Sequence, residues 1–311
     1  MTSLLTNAAA RTALQTLTQT NRNLEMTQSH ISTGLSVSQA QDNAAYWSIA
    51  TTMRSDNAAL STVQDALGLG SATVDVAYST VTAAIKVVSE IKKKLVAART
   101  PGIDKAKVQS EITELQNTLQ SVADAAVFSG ENWLSVNSGI TGYNPTKQIV
   151  ASFVRTNGVI SIGTITVNTA NIKLFDSDTT GVGLLDGSRN SAGALSSTGT
   201  FALSTLNIGA LTDSSADVTT LNSYIAAADA AVSSMTTSAS TLGAVKSRID
   251  IQRDFVAALT DAIERGVGQL VDADMNEEST KLQALQVQAQ LGIQALSIAN
   301  QSSQNILALF Q

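Results

Sequence analysis

The chain has 311 residues, a formal net charge of −6, no cysteine and only two prolines. The net negative charge gives no support to binding of nucleic acid or of an anionic membrane, and the lack of cysteine excludes disulfides and thiol chemistry. No segment approaches the roughly 18 consecutive apolar residues of a membrane span, and the N-terminus lacks a basic region followed by an apolar one. We therefore expect a cytosolic chain or one exported without a cleaved signal.

The first predicted element is an N-terminal helix with a heptad seam, in which seam residues recur at steps of four and three. Two of the seam positions hold amide side chains, Asn21 and Gln28, and such polar residues fix the register of a helix pair at some cost in stability. The predicted seam consists of Ala10, Leu14, Leu17, Asn21, Leu24, Gln28, Ile31 and Leu35.

A linker or hinge is expected after Gly34, and Asp42 or Asn43 can cap a second helix. This second helix is long, because one heptad seam continues until a Thr-Pro-Gly stop at 100–102. Asp104 begins a third helix, and the short turn between the two makes them antiparallel neighbours. The residues predicted to pack these helices are Leu60, Val63, Leu67, Val74, Val81, Val88, Ile91, Leu95, Ile112, Leu115 and Leu119.

The periodicity changes from Phe128 onward. Two β-rich runs, 148–156 and 159–167, flank an Asn-Gly pair, which is the strongest short-range signal for a hairpin. A third strand is predicted at 172–175, and the Gly-, Ser-, Thr- and Asp-rich stretch 176–200 is predicted as surface loop. The middle of the chain is therefore interpreted as a small β-containing insert.

Helical periodicity returns near Asp217 and continues through a stammer, which is a local shift of the heptad register. The packing residues predicted here include Ile249, Leu259 and Ile263. Further on, Asp274 followed three residues later by Glu277 resembles a capping box and would begin the last helix.

The last helix has a heptad seam held for about four heptads, and it carries no charge after Lys281. The predicted seam consists of Leu282, Leu285, Ala289, Gly292, Leu296, Ala299, Ser303, Ile306 and Phe310. Because a solvated helix face usually carries Lys and Glu, we interpret the uncharged helices at both ends as pairing with each other and packing against many copies of themselves.

These elements predict a mainly α fold, with a long coiled-coil-like helical hairpin, paired N- and C-terminal helices and a small β-containing outer insert. Two helices of an ordinary bundle are the simpler alternative for the ends.

The sequence gives no sign of an enzyme. His30 is the only histidine, whereas a zinc hydrolase needs several ligands and a Ser-His-Asp triad needs a different structural context. The insert has neither histidine nor cysteine, and its acidic residues show no paired spacing. Those acidic residues are Asp176, Asp178, Asp186 and Asp213. We expect no catalytic, metal or cofactor site.

Four short motifs favour structural roles. The segment 272–276 resembles the start of a calcium loop, but later positions fail the pattern, so a helix cap is the better interpretation. The glycines at 68 and 70 lie in a helix and follow no strand, which excludes a dinucleotide loop. The lysines at 92–94 fit a solvated helix end, and Tyr46 with Trp47 is expected to pack at the start of the long helix.

The residues at both ends resemble bacterial flagellins. The C-terminal stretch LQALQVQAQLGIQALSIANQSSQNILALFQ is similar to the flagellin C-terminal signature, and GQLVDADMNEE at 268–278 resembles the segment before it. At the other end, ISTGL at 31–35, DNAA at 42–45 and Met53-Arg54 resemble the N-terminal signature. The resemblance covers about 1–140 and 215–311, and Tyr46-Trp47 with the small insert looks more like flagellins of rhizobium-type alphaproteobacteria.

The resemblance implies a domain plan and a function. Residues 1–36 and 277–311 would be paired terminal helices in the inner core of a hollow filament. Residues 37–140 with 215–276 would form a helical outer-tube domain, and 141–214 a variable surface domain. The chain would be a structural subunit of the flagellar filament, the helical propeller for swimming. The inner-core residues would be Leu14, Leu17, Leu24, Ile31, Leu35, Leu282, Leu285, Leu296, Ile306 and Phe310.

The same resemblance implies partners and a location. The chain would form a homopolymer, alone or together with sister flagellins, and would be secreted through the flagellar type III apparatus to an extracellular filament. An export chaperone, a filament cap and hook-associated proteins would contact it, with no nucleic acid and no membrane partner. The stretch SEIKKKL at 89–95 departs from the Arg- and Leu-rich patch of flagellins sensed by the animal innate receptor, so the resemblance does not extend to that recognition.

Two other functions remain open at this point. A hook–filament junction protein shares paired terminal helices, and a type III secreted translocator would act on host membranes. The length and both signatures favour flagellin over the junction protein, and a translocator would need apolar spans that the sequence lacks.

Overall fold

The computed structural model describes residues 7–156, 158–178, 182–196 and 199–308, with side chains as far as Gln301. Five helices and six short or medium strands follow one another in the order anticipated. The helices are α1 (Ala8–Thr33), α2 (Ala44–Ala98), α3 (Lys105–Asp124), α4 (Ser215–Val271) and α5 (Met275–Ala308). The strands are β1 (Val127–Phe128), β2 (Glu131–Asn132), β3 (Ser135–Val136), β4 (Thr146–Thr156), β5 (Val159–Asn168) and β6 (Phe175–Asp176).

The helix boundaries follow the capping residues. Asn43 rather than Asp42 caps α2, since its Oδ1 accepts from the N–H groups of Ala45 and Tyr46. Asp104 caps α3 through Ala106 and Lys107, as predicted. Asp274 caps α5, where its Oδ1 accepts from Asn276 N–H at 2.9 Å and from Glu277 N–H at 3.3 Å. Each cap satisfies backbone donors that have no partner inside the helix.

The described part of the chain forms two compact units, one from Met1–Ala58 with Leu259–Gln311 and the other from Ala59–Ala258. The boundary falls within the continuous helices α2 and α4. The second unit contains the β-containing insert and the long helices beside it, and we call these helices the helical body.

The helical body contains the long predicted seam. In α2, every predicted packing residue is buried, with Leu67, Val74, Val81, Val88, Ile91 and Leu95 all at 0% exposure. Ion pairs show that α4 runs antiparallel to α2, because Lys246 pairs with Asp75 and Lys92 with Asp229. On α3, Ile112 and Leu119 are buried and Leu115 is half-buried. The heptad positions predicted from the sequence therefore coincide with buried or half-buried positions of α2 and α3.

The insert contains the predicted hairpin. Strands β4 and β5 pair antiparallel from Thr146 with Asn168 to Thr156 with Val159, with an irregularity between Val150 and Ser152. Asn157 of the predicted turn lies outside the described residues. The hairpin packs closely on α2, because a Cβ on Gly70 would lie 2.4 Å from Ile149 Cγ2.

Two predictions for the insert were wrong. The run 172–175 does not form the predicted third strand. Only its last residue, Phe175, lies in a strand, and that strand, β6, pairs in parallel with β3. The stretch predicted as surface loop also contains buried residues. Arg189 is 1% exposed, and its guanidinium donates to the carbonyls of Gly193 and Leu184. A buried guanidinium that ties loop carbonyls together has no periodic sequence signal.

The predicted linker after α1 is held by backbone hydrogen bonds. Gly34 adopts a φ of 72°, and its carbonyl accepts from Ala273 N–H at 2.9 Å. The N–H groups of Ser36 and Val37 donate to Val271 O. Beneath these bonds lies a small apolar cluster. It consists of Val37, Ala50, Val267 and Val271, with Leu35, Met53, Ile263 and Leu270 against it.

Candidate assembly interface

The candidate functional surface is the terminal helix pair, which we define as α1 and α5. The two helices run antiparallel, because residues near the start of one contact residues near the end of the other. Asn7 Nδ2 donates to Ala299 O at 2.9 Å, and His30 Nδ1 lies 3.2 Å from Glu278 Oε1. Asn7 also caps α1, as its Oδ1 accepts from Ala10 N–H.

The α5 seam was predicted at the right positions over the residues whose side chains are described. Leu285 is buried, and the other seam residues up to Ala299 are half-buried, while the positions between them are exposed. The Leu17 side chain packs against Gly292, where an added Cβ would lie 3.2 Å from Leu17 Cδ1. The side chain of Ile306 and all of Phe310 lie outside the described part of the chain.

The α1 seam was predicted in a partly wrong register. Leu14 is 54% exposed, and Asn21 and Gln28 are exposed as well. Residues with covered side chains instead recur at steps of three and four. They are Ala10, Ala13, Leu17, Thr20, Leu24, Thr27 and Ile31. Both possible seams share Ala10, Leu17, Leu24 and Ile31, so the sequence left the alternate positions ambiguous.

Two threonines, Thr20 and Thr27, occupy the helix–helix contact where the sequence predicted Asn21 and Gln28. Thr20 is 4% exposed and Thr27 is 1% exposed. A threonine presents a methyl group as well as a hydroxyl, so it can fill a helix–helix contact that a longer amide would leave for solvent. Leu35 also departs from the prediction, because α1 ends at Thr33 and Leu35 packs in the apolar cluster beside Val37.

A second apolar stripe, which we call the outer stripe, lies on α5 and was not recognised in the sequence. It consists of the apolar Ala284, Val287, Leu291 and Ile298 with the polar Gln294 among them, again at steps of three and four. Each position follows a seam position by two residues, which is about 200° around a helix of 3.6 residues per turn. The outer stripe therefore faces away from α1, and Val287, Leu291 and Ile298 are between 55% and 67% exposed.

The exposed surface has a second apolar patch at the start of α2. Tyr46, Trp47 and Ile49 are all exposed, so the expectation that Tyr46 and Trp47 pack within the chain was wrong. Asn43 caps the helix just before these residues, and no described element covers the two aromatic rings.

The lysines at 92–94 do not form a free cationic patch. Lys92 Nζ lies 2.5 Å from Asp229 Oδ1, Lys93 Nζ lies 2.6 Å from Glu90 Oε1, and Lys94 pairs with Glu111. Two of the three pairs link α2 to its neighbours α4 and α3. The triplet therefore fits the predicted structural role better than an anion-binding one.

The insert brings together acidic residues that the sequence spacing did not connect. Burial works to raise the pKa of Asp176, but bonds from Lys173 and Ser138 outweigh burial and hold the pKa at about 2. Burial raises the pKa of Asp186, whose oxygens accept from the N–H groups of Asp176 and Gly183. Both carboxylates accept hydrogen bonds from backbone N–H groups and so hold the loops in place. Among the described residues, no group of three metal-binding side chains is present.

Similarity to known proteins shows which family the chain belongs to. Residues 4–138 match the bacterial flagellin N-terminal helical region, and residues 225–310 match the bacterial flagellin C-terminal helical region. The chain is 53% identical to Flagellin C of Rhizobium meliloti (strain 1021) over 323 aligned residues covering both proteins completely. The chain belongs to the bacterial flagellin family.

Further flagellins align along their whole length. Identity is 44% to Flagellin A of Rhizobium meliloti (strain 1021) over 399 aligned residues and 45% to Flagellin of Brucella melitensis biotype 1 over 312, with both chains fully covered. The rhizobium-like character inferred from the sequence is therefore confirmed. Full-length similarity to these flagellins decides the functional alternatives in favour of flagellin.

A flagellin is a structural protein, and this chain is a structural subunit of the bacterial flagellar filament, a helical polymer used in cell motility. It polymerises with flagellin subunits, and both matching regions are helical regions of that family. In the part of the chain that the structure describes, no helix is both long and apolar enough to cross a membrane.

Proposed function

We propose that the terminal helix pair forms the inner core of the filament and that α5 contacts another subunit through its outer stripe. The observation that carries this proposal is that α5 is apolar on two opposite faces. One face is covered by α1 and the other is exposed. A helix that is apolar on both sides is typical of a buried position between partners.

The charge distribution supports a second copy of the chain as the partner. No charged residue follows Lys281, so the outer stripe is flanked by glutamine, asparagine and serine. Such a surface has no ion pairs to offer a charged partner, but it suits another uncharged heptad helix. Contacts between unlike surfaces of identical subunits do not close on themselves and so generate an open helical filament.

The proposed inner-core residues then serve two kinds of contact. Leu17, Leu24, Ile31, Leu285 and Leu296 pack α1 against α5 within one subunit. Leu14, which is exposed, is available to a neighbouring subunit. Ile306 and Phe310 would continue the α5 seam.

The remaining parts of the chain take the outer positions in this proposal. Residues 37–140 and 215–276 form an outer tube of long helices, in which the residues buried in α2, α3 and α4 stiffen each subunit. Residues 141–214 form a variable surface domain. The flagellins of different aligned length are consistent with a region of the family that accepts insertions.

Export and assembly partners are also part of the proposal. We expect the chain to leave the cell through the flagellar type III apparatus and to reach an extracellular filament. An export chaperone, a filament cap and hook-associated proteins would handle it, and it would need no cofactor, nucleic acid or membrane partner. The support is the flagellin family together with the absence of cysteine, which suits passage of an unfolded chain.

The outer stripe is tested by a matched pair of charge insertions. Leu291→Asp places a carboxylate in the stripe, whereas Gln290→Asp places one on the adjacent exposed position that belongs to neither stripe. Purified protein is seeded with sheared filament fragments and observed by negative-stain electron microscopy. We expect filaments from Gln290→Asp and none from Leu291→Asp, because burying an unpaired charge costs several kcal/mol. Normal filaments from Leu291→Asp would disprove the proposed contact.

A further inference from the structure

A cluster of charged groups lies where α1 ends and α5 begins. His30 is in the last turn of α1, and its Nδ1 lies 3.2 Å from Glu278 Oε1 in the first turn of α5. Lys281 Nζ lies 3.4 Å from the same oxygen. His30 is the only histidine in the chain, and none of the assembly contacts proposed above uses it.

Glu278 is a buried carboxylate with incomplete hydrogen bonding. The residue is 8% exposed, and its Oε2 is buried without a hydrogen-bond partner. Burial works to raise the pKa of Glu278, but the bond from His30 and the charge of Lys281 outweigh burial and place the pKa below its ordinary value. Glu278 therefore depends on nearby positive charge.

The connector after α1 adds one more charge. Asp42 accepts from the N–H groups of Ser38 and Gln39, and the charge of His30 is among the factors that lower its pKa. Among the described residues, the charged groups of this cluster are therefore Glu278, which contacts the imidazole directly, Asp42 on the connector, and Lys281, which contacts Glu278.

We propose that His30 and Glu278 form a proton-dependent clasp that strengthens the pairing of α1 with α5 when the imidazole is protonated. A neutral imidazole donates to Glu278 only in the tautomer that carries hydrogen on Nδ1, whereas an imidazolium always donates there. The charged form also adds an electrostatic attraction in a site from which water is largely excluded. The clasp depends on the proposed assembly role of the terminal helix pair only in tests that measure filament growth.

The pH dependence has two limits. Raising the pH removes the imidazole proton and leaves Glu278 with Lys281 as its only cation in the cluster. Lowering the pH through the titration of Glu278 removes the carboxylate. The clasp is therefore strongest above the titration of Glu278 and below that of the imidazole.

The test measures the critical concentration for seeded filament growth of the full chain at roughly pH 6 and pH 8, on either side of the ordinary histidine range. We expect the value for the unmodified chain to be about fivefold lower at the acidic pH, the difference between a charged and a neutral hydrogen bond. Because the chain has one histidine, its imidazole NMR signal follows the protonation of His30 without assignment. The step in critical concentration should follow that signal.

Substitutions separate the clasp from a merely structural contact. His30→Arg should keep the low critical concentration at both pH values, because the charge is permanent. His30→Gln and Glu278→Gln should remove the step, whereas Glu277→Gln, an exposed carboxylate on the same turn, should retain it. A step that persists in His30→Gln, or its absence in the unmodified chain, would overturn the proposal.

The two proposals fail in different ways. If the unmodified chain forms no filaments at either pH, the proposed assembly role of the terminal helices is wrong. If filaments form with the same critical concentration at both pH values, only the clasp is wrong.

Discussion

The helical body and the terminal helix pair use the same heptad repeat for different purposes. In the body, the seam of α2 combines Leu, Val and Ile with Ala and Gly, all with little or no exposure, and ion pairs join α2 to α3 and α4. In the terminal pair, most seam residues are only half-buried, and a second stripe remains exposed. The difference teaches that a heptad pattern identifies a helix that needs a partner but not where that partner comes from.

The energetic consequence follows from the amount of apolar surface each region covers. The body buries large side chains on several helices within one subunit. The terminal pair covers one side of each helix and leaves Val287, Leu291 and Ile298 in solvent. We therefore expect the body to fold on its own residues, while the terminal pair gains much of its stability from assembly.

The largest expected effect is loss of assembly by Leu296→Asp. Leu296 lies in the covered seam of α5, so a carboxylate there is driven into an apolar contact at a cost of several kcal/mol. Filaments should be absent, while the main thermal transition by circular dichroism, which reports the body, should not change. Ser297→Asp, on the exposed neighbouring position, should still assemble. Filaments of normal length from Leu296→Asp would remove the distinction between the two regions.

A cavity in the body should act on folding instead. Leu67 is 0% exposed, and Leu67→Ala should lower the free energy of unfolding by about 2–5 kcal/mol through lost burial and an unfilled cavity. Leu69, two residues away, is 54% exposed, and Leu69→Ala should change stability by no more than about 0.5 kcal/mol. Urea denaturation measures both. Similar values for the two variants would mean that the α2 seam does not stabilise the body.

Lowering the pH should destabilise the insert only in the strongly acidic range. The folded pKa of Asp176 is lowered to about 2, so its contribution is present above its unfolded pKa and is lost as the pH falls through the range from roughly 4 to 2. The shift corresponds to about 2 kcal/mol. Asp176→Asn should lose this stability at neutral pH and flatten the acid dependence of urea unfolding. An unchanged acid profile in that variant would show that Asp176 does not tie the loops.

The smallest effects concern two glycines in α2. Gly68 has open space where a Cβ would be, so Gly68→Ala should stabilise the body by about 0.5–1 kcal/mol through the higher helix propensity of alanine. At Gly70 a Cβ would meet Ile149, so Gly70→Ala should be destabilising by about 1 kcal/mol or more. Thermal melts of both variants report the signs. A stabilising Gly70→Ala would show that the hairpin does not pack on α2 at this point.

The helices were predictable because local chemistry specifies them. The caps at Asp104 and Asp274, the stop after α2 and the heptad seams of α2 and α5 depend on neighbouring residues, and the structure confirms them. The hairpin was predictable for the same reason, because a turn signal lies between two β-rich runs. The α1 register was not, because the choice between Thr20 and Asn21 depends on which side α5 approaches.

The sequence by itself determined the order of elements, the mainly α fold and the flagellin resemblance, since these rest on periodicity, capping and terminal signatures. The tertiary structure decided which apolar residues are covered and which remain exposed, including Leu14, Trp47 and the outer stripe of α5. It also decided the contacts of His30 with Glu278 and of Arg189 with loop carbonyls. Such contacts join residues far apart in the chain or in irregular loops, and no repeating pattern records them.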